Sequence, residues 1–445
     1  MSFTRVSLLV KASALVISLS SLTFPAGAEP LALAVDAALR HHPSVEAAIA
    51  NRDAYFQETK EQWADHFPTV NVRGAGGRAF GDNSTSRGLQ VTRDSTYSYL
   101  WEGGVTMTQP LFDGFETLHR VDAAAYRRDS ADFHIADIRE DLALRTVMAY
   151  LDVLRAQESL EKIQAHERKI ADYQGRIQKM VDQGAADESM IVQARDIKAQ
   201  LDNTMAGIEG QLKTAYAKYA ELTGHVPDKD MEKPVPRLDM IPEMTEDAAL
   251  YARKNHPALK AALMTEHALE NDAEAEKQFY YPDVNGELSY LKRDQREEIG
   301  GEVLDAKALV RLNWDLSVAG GQVARVKKSR YRQYESKAQR AEVERQIERD
   351  VRIAYSDTAT AQQQLSVLRE RMKINDDLFR NYEAQFEGAR INLLQLLQAD
   401  NARFNTRLSL MNAQYRHLAA QYTILASMGR LQEALSTASA EADEH

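Results

Sequence analysis

The sequence predicts an exported protein of mixed α and β structure that is built from two similar halves. Three observations support this prediction. Short motifs recur in the same order along both halves, each half contains two segments in which apolar and polar residues alternate, and each half continues into a very long segment without proline. Period-two alternation is typical of strands, whereas long proline-free segments favour helices.

The internal repeat is visible in paired motifs. ALRHHPSVEAA at residues 38–48 returns as ARKNHPALKAA at residues 252–262, an offset of 214 residues. AYLD at residues 149–152 returns as AYSD at residues 354–357, an offset of 205 residues. Offsets of this size exceed the period of solenoid repeats, so we interpret them as a duplicated structural unit.

The expected domain boundaries follow from this repeat. We expect a first structural repeat, a proline-containing linker, a second structural repeat and a small, acidic tail whose composition predicts disorder. These four parts are residues 29–225, 226–243, 244–435 and 436–445.

The N-terminus predicts secretion. Arg5 and Lys11 flank the start of an apolar stretch, and Ala26-Gly27-Ala28 has the small residues of a signal-peptide cleavage site. The stretch is short and interrupted by serines, so it does not suit a membrane anchor. We therefore expect residues 1–28 to be a signal peptide. The chain has no cysteine, hence no disulfide and no cysteine-linked lipid. These features fit the periplasm or outer membrane of a Gram-negative bacterium.

Charge and hydropathy exclude two further classes of protein. The formal net charge is −11, which argues against a nucleic-acid-binding protein. After the expected signal peptide, no apolar run is long enough for a transmembrane helix. If the mature chain crosses a membrane, the sequence therefore predicts that it does so as a β-barrel.

Two strands are expected in each half. In the first half Tyr99 and Trp101 alternate with polar residues, and in the second half Val310 and Leu312 flank Arg311. A soluble sheet with one solvated face shows the same alternation, but strands of about ten residues with interfacial aromatics are typical of transmembrane barrels. Four strands cannot close a barrel, so several copies of the chain would have to contribute. The expected strands are about 68–80, 96–111, 282–292 and 303–316, with external loops at 81–94 and 292–301.

Helices are expected to occupy most of the remaining chain. A first helix is expected in each half, at 35–65 and 246–278. The proline-free segments at 115–183 and 321–387 predict helices on the order of 100 Å long. Apolar residues spaced alternately three and four apart predict coiled-coil seams between each long helix and a shorter partner. Gly184 and Gly388 mark the expected reversals between the long and shorter helices.

No catalytic, cofactor or metal site is expected. His41 and His42 are a possible metal-ligand pair, but the second copy has only Asn255-His256, so we interpret the pair as part of a helix end. His166 has no second histidine four residues later, as a zinc-protease helix requires. No serine has the setting of a nucleophile elbow, and we therefore expect no enzyme.

Taken together, these features resemble the TolC-type outer membrane factors, the outer membrane efflux protein family, over about Leu33 to Leu435. The resemblance rests on the motifs in their duplicated order, and the type I secretion components are the most similar branch. The motifs are QPLFDG at 109–114, AYLD and its copy AYSD, GARINLLQLLQADN at 388–401, and Thr223-Gly224 with its counterpart Met428-Gly429.

The resemblance implies a fold and a set of partners. It implies a homotrimer whose twelve strands, four from each chain, form one outer-membrane β-barrel surrounded by lipid. The barrel would continue into a long α-helical coiled-coil tunnel in the periplasm. The tunnel's tip would dock to a periplasmic adaptor protein, which joins it to an inner-membrane ABC transporter or proton-driven pump.

The implied function is that of a passive exit duct for type I secretion of a protein such as an adhesin or toxin. An alternative is the outer membrane component of a multidrug or metal efflux pump. A second alternative, of another class, is a periplasmic coiled-coil scaffold that forms no channel. This last alternative explains the coiled-coil seams but not the aromatic-bearing strands in both halves.

The resemblance also implies where the periplasmic entrance lies. Relatives often carry LLDLLD after the second reversal, whereas this chain has LLQLLQ at 393–398, after an apparent insertion at Ile391. A ring of carboxylates binds cations, so a glutamine ring predicts weaker cation block. The alternative is that the two glutamines are merely solvated helix positions, or that the insertion rotates them away from the lumen. The expected pore constriction comprises Gln395, Gln398, Arg390, Asp187 and Glu188, and the expected adaptor-docking tips comprise Gly184, Ala185, Gly388 and Ala389.

Overall fold

The computed structural model describes most of the chain from residue 29 onwards. The described residues are 29–81, 96–295, 302–316, 319–388 and 390–442. The expected signal peptide at 1–28, Ala389, most of the expected loop at 81–94 and part of that at 292–301 lie outside them.

Nine helices and four strands form the described part. The helices are α1 (Leu31–His41), α2 (Pro43–Ala64), α3 (Glu116–Asp182), α4 (Glu188–Thr223), α5 (Thr245–Asn255), α6 (Pro257–Ala275), α7 (Gly321–Glu387), α8 (Leu393–Ser427) and α9 (Leu431–Ala442). The strands are β1 (Thr69–Gly81), β2 (Thr96–Phe112), β3 (Asp283–Gln295) and β4 (Glu302–Asn313). Short 3₁₀ helices lie at Leu238–Met240 and Glu276–Tyr280. Each half thus runs through two short helices, two strands, one long helix and one shorter helix.

The first helix expected in each half is interrupted at a His-Pro step, so the prediction of continuous helices was wrong. Pro43 and Pro257 begin new helices because proline has no N–H to donate, and its ring suits the first helical position. The preceding histidine caps each new helix. Nδ1 of His42 accepts the N–H of Ser44, and Nδ1 of His256 accepts that of Ala258, both at 3.2 Å.

The four strands form one antiparallel sheet in the order β1-β2-β3-β4. One face of this sheet is apolar. Val72, Val105, Tyr290 and Ala306 are paired in a single row across all four strands, and therefore share that face. Apolar side chains on this face are exposed in the single chain, and Val72 retains 74% of its accessible surface. A large exposed apolar surface of this kind indicates contact with lipid or protein.

The opposite face of the sheet is largely polar and carries ion pairs. Arg293 Nε lies 3.2 Å from Oε2 of Glu102 on the neighbouring strand. Arg311 Nη2 lies 2.9 Å from Oε2 of Glu287. The alternation predicted from the sequence therefore separates an apolar face from a charged one. The strand ends differ from those expected by up to three residues, and Trp314 lies just beyond β4.

The two long helices are each 67 residues in length, which corresponds to about 100 Å. α3 packs antiparallel against α4, and α7 packs antiparallel against α8, as the seams predict. Asn375, at a seam position of α7, donates a hydrogen bond from Nδ2 to Oγ1 of Thr406 in α8 at 2.7 Å. A single buried polar pair of this kind fixes the register of a coiled coil.

The halves meet at a core beneath the linker. Tyr150 and Tyr219 are completely buried there. The single hydroxyl hydrogen of Tyr150 is shared between the backbone carbonyls of Glu29 and Glu232, whose oxygens lie 2.6 and 2.7 Å from the hydroxyl oxygen. These bonds attach the start of the described chain and the linker to α3.

The tail expected to be disordered from Ser436 is instead helical as far as Ala442. Leu431, Ala434 and Leu435 of α9 are buried against the core. Alanine, which recurs in this segment, has the highest helix propensity, and the packing of α9 against the core stabilises the helix. In the described residues, no helix combines the length and apolar character needed to span a membrane.

Candidate functional site

The first hairpin turn joins α3 to α4. Gly184 follows α3 with a φ of +70°, a left-handed conformation that favours glycine. The N–H of Ala185 then donates to the carbonyl of Met180 at 2.8 Å, the long-range bond of a Schellman motif. Asp187 begins the return helix, since its carboxylate accepts the N–H of Ser189 at 3.0 Å. Asp187 therefore caps α4 as well as exposing a charge.

The second hairpin turn joins α7 to α8 by a different backbone path. Gly388 has a φ of −80°, an ordinary value for any residue. The N–H of Arg390 donates to the carbonyl of Gln385 at 2.8 Å. Gly388 is thus placed at the reversal, as expected, but its conformation does not require glycine.

A capping box begins α8, and sequence reasoning missed it. Oδ1 of Asn392 accepts the N–H of Gln395 at 2.9 Å, and Oε1 of Gln395 accepts the N–H of Asn392 at 3.2 Å. The signal was present in the sequence, because Asn followed three residues later by Gln before an apolar run predicts this motif. Gln395 therefore has a structural role that is independent of any pore.

The LLQLLQ segment separates apolar from polar positions. Leu393 and Leu397 are fully buried, whereas Gln395 and Gln398 are exposed on one side of α8. Residues three apart lie on the same face of a helix, so the two glutamines are neighbours. The leucines fill the space between the hairpins, and the amides face outward.

The other expected constriction residues are exposed as well. Arg390, Asp187 and Glu188 all have exposed side chains. Among the described residues of a single chain, no ion pair joins Arg390 to Asp187 or to Glu188. The structure therefore brings these side chains to two neighbouring turns without linking them.

One apolar cluster holds both turns together. It includes Ile177 near the end of α3, Ile191 at the start of α4, Phe379 of α7 and Leu393 at the start of α8. Because all four helices contribute, the two hairpins pack against each other near their tips.

A polar group lies within this contact, between α3 and α8. The side chain of His166 is only 5% exposed, and its ring stacks on Phe404 with centroids 3.9 Å apart. His166 Nδ1 lies 4.0 Å from Oδ2 of Asp400, which is 2% exposed. Arg403 Nη2 lies 2.7 Å from the other carboxylate oxygen of Asp400, and its guanidinium lies over Phe379. Sequence reasoning considered His166 only as part of a metalloprotease motif, which it rejected.

The electrostatics of this group follow from its burial. Burial lowers the pKa of His166, and the carboxylate of Asp400 only partly opposes this shift. His166 is consequently neutral at pH 7. Its Nε2 has no hydrogen-bond partner, nor has Oδ2 of Asp400.

The described residues provide no cluster of three or more His, Cys, Asp or Glu side chains that could hold a metal ion. What the tips offer is an exposed, mainly polar surface around two tight turns, supported by an apolar core. Such a surface suits contact with another protein or with a water-filled passage.

The model of the family described as outer membrane efflux protein matches residues 34–225 and 251–430. The matched segments cover most of both halves and omit the whole linker.

Individual proteins are similar over nearly the same extent. The chain is 23% identical over 429 residues to the outer membrane protein TolC of Vibrio cholerae, covering 94% of both chains. It is 20% identical over 369 residues to the outer membrane efflux protein BepC of Brucella suis, covering 82% of this chain and 80% of that protein. Among solved structures, the Campylobacter jejuni CmeC outer membrane channel has a TM-score of 0.77 at 15% identity, covering 92% of this chain and 88% of that one.

Proposed function

The chain belongs to the outer membrane efflux protein family, and on this premise we propose that three copies form a passive exit duct for type I secretion of a large protein. The protein lies in the outer membrane and extends into the periplasm. Its family and fold are those of outer membrane channels, not of enzymes.

The observation that carries the proposed duct is that each layer of the described chain has two open edges, whereas the choice of type I secretion rests on the resemblance alone. The sheet ends in β1 and β4. Near the sheet the helices pack in the row α2-α3-α6-α7, and towards the tips in the row α4-α3-α8-α7. In each layer one edge element comes from the first half and the other from the second half. Edges that differ in this way join head to tail, and repeated head-to-tail contacts form a ring when the rotation between copies closes.

The outer surface of α7 supports contact with a second copy. Ile353, Val367 and Ile374 follow one another at intervals of seven or fourteen residues, and 49%, 60% and 58% of their respective surfaces are exposed. This spacing places them in one stripe along the helix. At the other end of the row α4-α3-α8-α7, the edge helix α4 exposes Val192, which retains 62% of its accessible surface. The stripe on α7 and Val192 on α4 place exposed apolar side chains on both edges of this row, which suits contact between copies.

The sheet supports membrane insertion of the closed ring. In a barrel of several such sheets, the apolar face would contact lipid and the face with the Glu102–Arg293 and Glu287–Arg311 pairs would line a water-filled lumen. Closure also pairs the free edges, since β4 of one copy would bond to β1 of the next. We therefore propose one barrel of twelve strands, four from each copy.

At the periplasmic end, we assign the entrance to the exposed tip residues. Gln395 and Gln398 would form a neutral polar ring, with Arg390, Asp187 and Glu188 beside it. Gly184, Ala185 and Gly388, together with Ala389 outside the described residues, would dock to a periplasmic adaptor protein, which joins the duct to an inner-membrane ABC transporter or proton-driven pump. The duct itself supplies no energy.

Efflux of small molecules is the second candidate. The printed names of BepC and of the family refer to efflux. A strain lacking the gene distinguishes the two candidates. Loss of one large protein from the culture medium supports type I secretion, whereas increased sensitivity to drugs or metals with an unchanged set of secreted proteins supports efflux.

Oligomerisation and conductance test the duct. We expect the purified protein to be a trimer by mass measurement in detergent, and Val367→Glu to weaken the trimer because it introduces a charge into the apolar stripe. Gln362→Glu, exposed on another side of α7, is the matched control. In planar bilayers we expect a small, stable conductance. A folded trimer that conducts no current would disprove the duct.

The glutamine ring is tested in the same bilayers with divalent cations. Gln395→Glu keeps the capping box, since glutamate also serves at that position. Combined with Gln398→Asp, it should make a cation-insensitive channel blockable. If block is unchanged in the double variant, the two positions do not line the lumen.

A further inference from the structure

A small cavity opens between α3 and α8, at the contact between the two hairpins. Its volume is about 120 Å³. This exceeds the roughly 10–15 Å³ that one water molecule needs on the same kind of measure. The charged and polar side chains that line it are Lys162, His166, Lys169, Asp400, Arg403 and Arg407. Four of these are permanently cationic and one is anionic.

Two of the four cations are already neutralised. Lys162 Nζ lies 3.1 Å from Oε1 of Glu158. Arg403 Nη2 lies 2.7 Å from Oδ1 of Asp400, so this carboxylate is not a free negative charge in the cavity. In the described part of the chain, Lys169 and Arg407 form no ion pair. The cavity wall thus retains two uncompensated positive charges, one on each hairpin.

His166 adds a buried nitrogen that lacks a partner. Its side chain is 5% exposed and forms part of the cavity wall, and stacking on Phe404 fixes the plane of the ring. Nε2 is buried and has no hydrogen-bond partner. A buried polar atom in this state costs free energy unless a ligand or water satisfies it. In the tautomer that carries the proton on Nε2, this nitrogen is a donor.

We propose that this cavity binds a small oxyanion, held by Lys169, Arg407 and the Nε2–H of His166. A water molecule satisfies the histidine nitrogen but leaves Lys169 and Arg407, whose side chains also reach solvent, without an anionic partner in the cavity. An oxyanion of phosphate size satisfies both requirements, because its oxygens accept from several donors and its charge neutralises the lysine and the arginine.

Binding at this position would connect the two hairpins. Lys169 belongs to α3 and Arg407 to α8, so an anion between them adds a bridge to the apolar contact near the tips. The binding site itself does not depend on the proposed export function. Conductance and anion binding are therefore independent measurements. If the folded protein conducts no current but binds the anion, the proposed duct fails and the proposed binding site does not.

Titration calorimetry of the purified full-length protein in detergent tests the site, with inorganic phosphate as the probe against chloride at equal ionic strength. We expect saturable binding with one site per chain. The double variant Lys169→Gln/Arg407→Gln should weaken binding at least tenfold, because it removes two charge-assisted contacts. Both side chains are exposed, so the variant should fold. Arg168→Gln, one residue away and outside the cavity wall, is the matched control and should bind as the unmodified protein does.

A parallel titration with acetate identifies the kind of oxyanion. Saturable binding of either probe that is lost in the double variant supports the proposal, and the tighter probe distinguishes an inorganic oxyanion from a carboxylate. Absence of saturable binding of both probes to the unmodified protein would overturn it. Equal binding by the double variant would overturn it as well, since the ligand would then lie elsewhere.

Discussion

The carboxylate of Glu140 in α3 accepts a hydrogen bond from the N–H of Leu431 at 3.1 Å, although the two residues lie 291 positions apart. The N–H of Gln432 donates to the same carboxylate at 3.2 Å. These N–H groups begin α9 and have no partner within their own helix. A residue of the first half therefore caps the last helix of the second half.

This cap predicts a pH dependence of stability. Burial raises the pKa of Glu140 from 4.5 to about 7, although the N–H donors oppose the shift. The folded protein consequently holds this proton more tightly than the unfolded chain does. The contribution of the protonated Glu140 to the free energy of unfolding is therefore present at low pH. It is lost as the pH rises from about 4.5 to 7, by up to about 3 kcal/mol.

Glu140→Gln should flatten this part of the stability profile, because glutamine does not ionise. Thermal unfolding of the purified protein at pH 5 and pH 8 measures the effect. Glu161→Gln, an exposed glutamate of the same helix, is the control and should leave the profile unchanged. An equally steep profile in Glu140→Gln would assign the pH dependence to other groups.

Two glycines, one after α4 and one after α8, allow the cost of a left-handed backbone to be measured apart from the cost of a steric clash. Gly224 and Gly429 both have positive φ, +80° and +70°. A Cβ at Gly224 would meet no atom within 4 Å, whereas one at Gly429 would lie 2.8 Å from Cδ of Pro257.

Alanine at either position should cost about 1–2 kcal/mol for the left-handed conformation. Gly429→Ala should cost a further 1–3 kcal/mol or so, because the backbone at Pro257 must shift. Chemical denaturation of both variants measures the difference. Equal destabilisation would mean that the proline moves without cost.

The start of the described chain is held by a buried tyrosine. The hydroxyl of Tyr219, which is completely buried, donates to Oε1 of Glu29. Tyr219→Phe should lower the free energy of unfolding by about 1–3 kcal/mol, because the nearly buried carboxylate loses a donor. Tyr216→Phe is the control, since the Tyr216 hydroxyl is only partly buried and accepts from neutral Gln157 at 3.1 Å. Similar losses in both variants would contradict a special role for Glu29.

Acid should weaken the junction between α5 and α6. His256 caps α6 through Nδ1, and only the neutral ring has a lone pair there. Burial lowers the pKa of His256, with Asp137 and Asp350 opposing the shift. This contribution to stability is therefore present above the ordinary pKa of 6.5 and is lost as the pH falls through the lowered value.

His256→Asn should reduce the loss of stability between pH 7 and pH 5, because asparagine caps helices without titrating. Protection factors from hydrogen exchange at the start of α6, in which the pH dependence of intrinsic exchange is divided out, measure the junction directly; these factors are the quantity compared between the two pH values. His41→Asn, at an exposed histidine that caps no helix, should have no effect. Unchanged exchange between the two pH values in the unmodified protein would contradict the prediction.

Local patterns in the sequence determined the kinds of element and their order. Alternation predicted all four strands, proline-free heptads predicted the hairpins, and glycine predicted the position of both reversals. These properties depend on residues a few positions apart, and a sequence shows such residues directly. The break at each His-Pro step and the capping box at Gln395 were equally local. The sequence contains the signal for each of them, a proline after histidine and an asparagine three residues before glutamine, although the prediction did not take these signals into account.

Only the tertiary structure decided which distant residues meet. Nothing near Glu140 in the sequence indicates that it caps α9, and nothing near His166 predicts an oxyanion cavity shared with Arg407. The open edges of the sheet and of the helix rows likewise follow from how the elements pack. Such contacts join residues hundreds of positions apart, and they depend on the relative placement of whole helices, which local residue patterns do not specify.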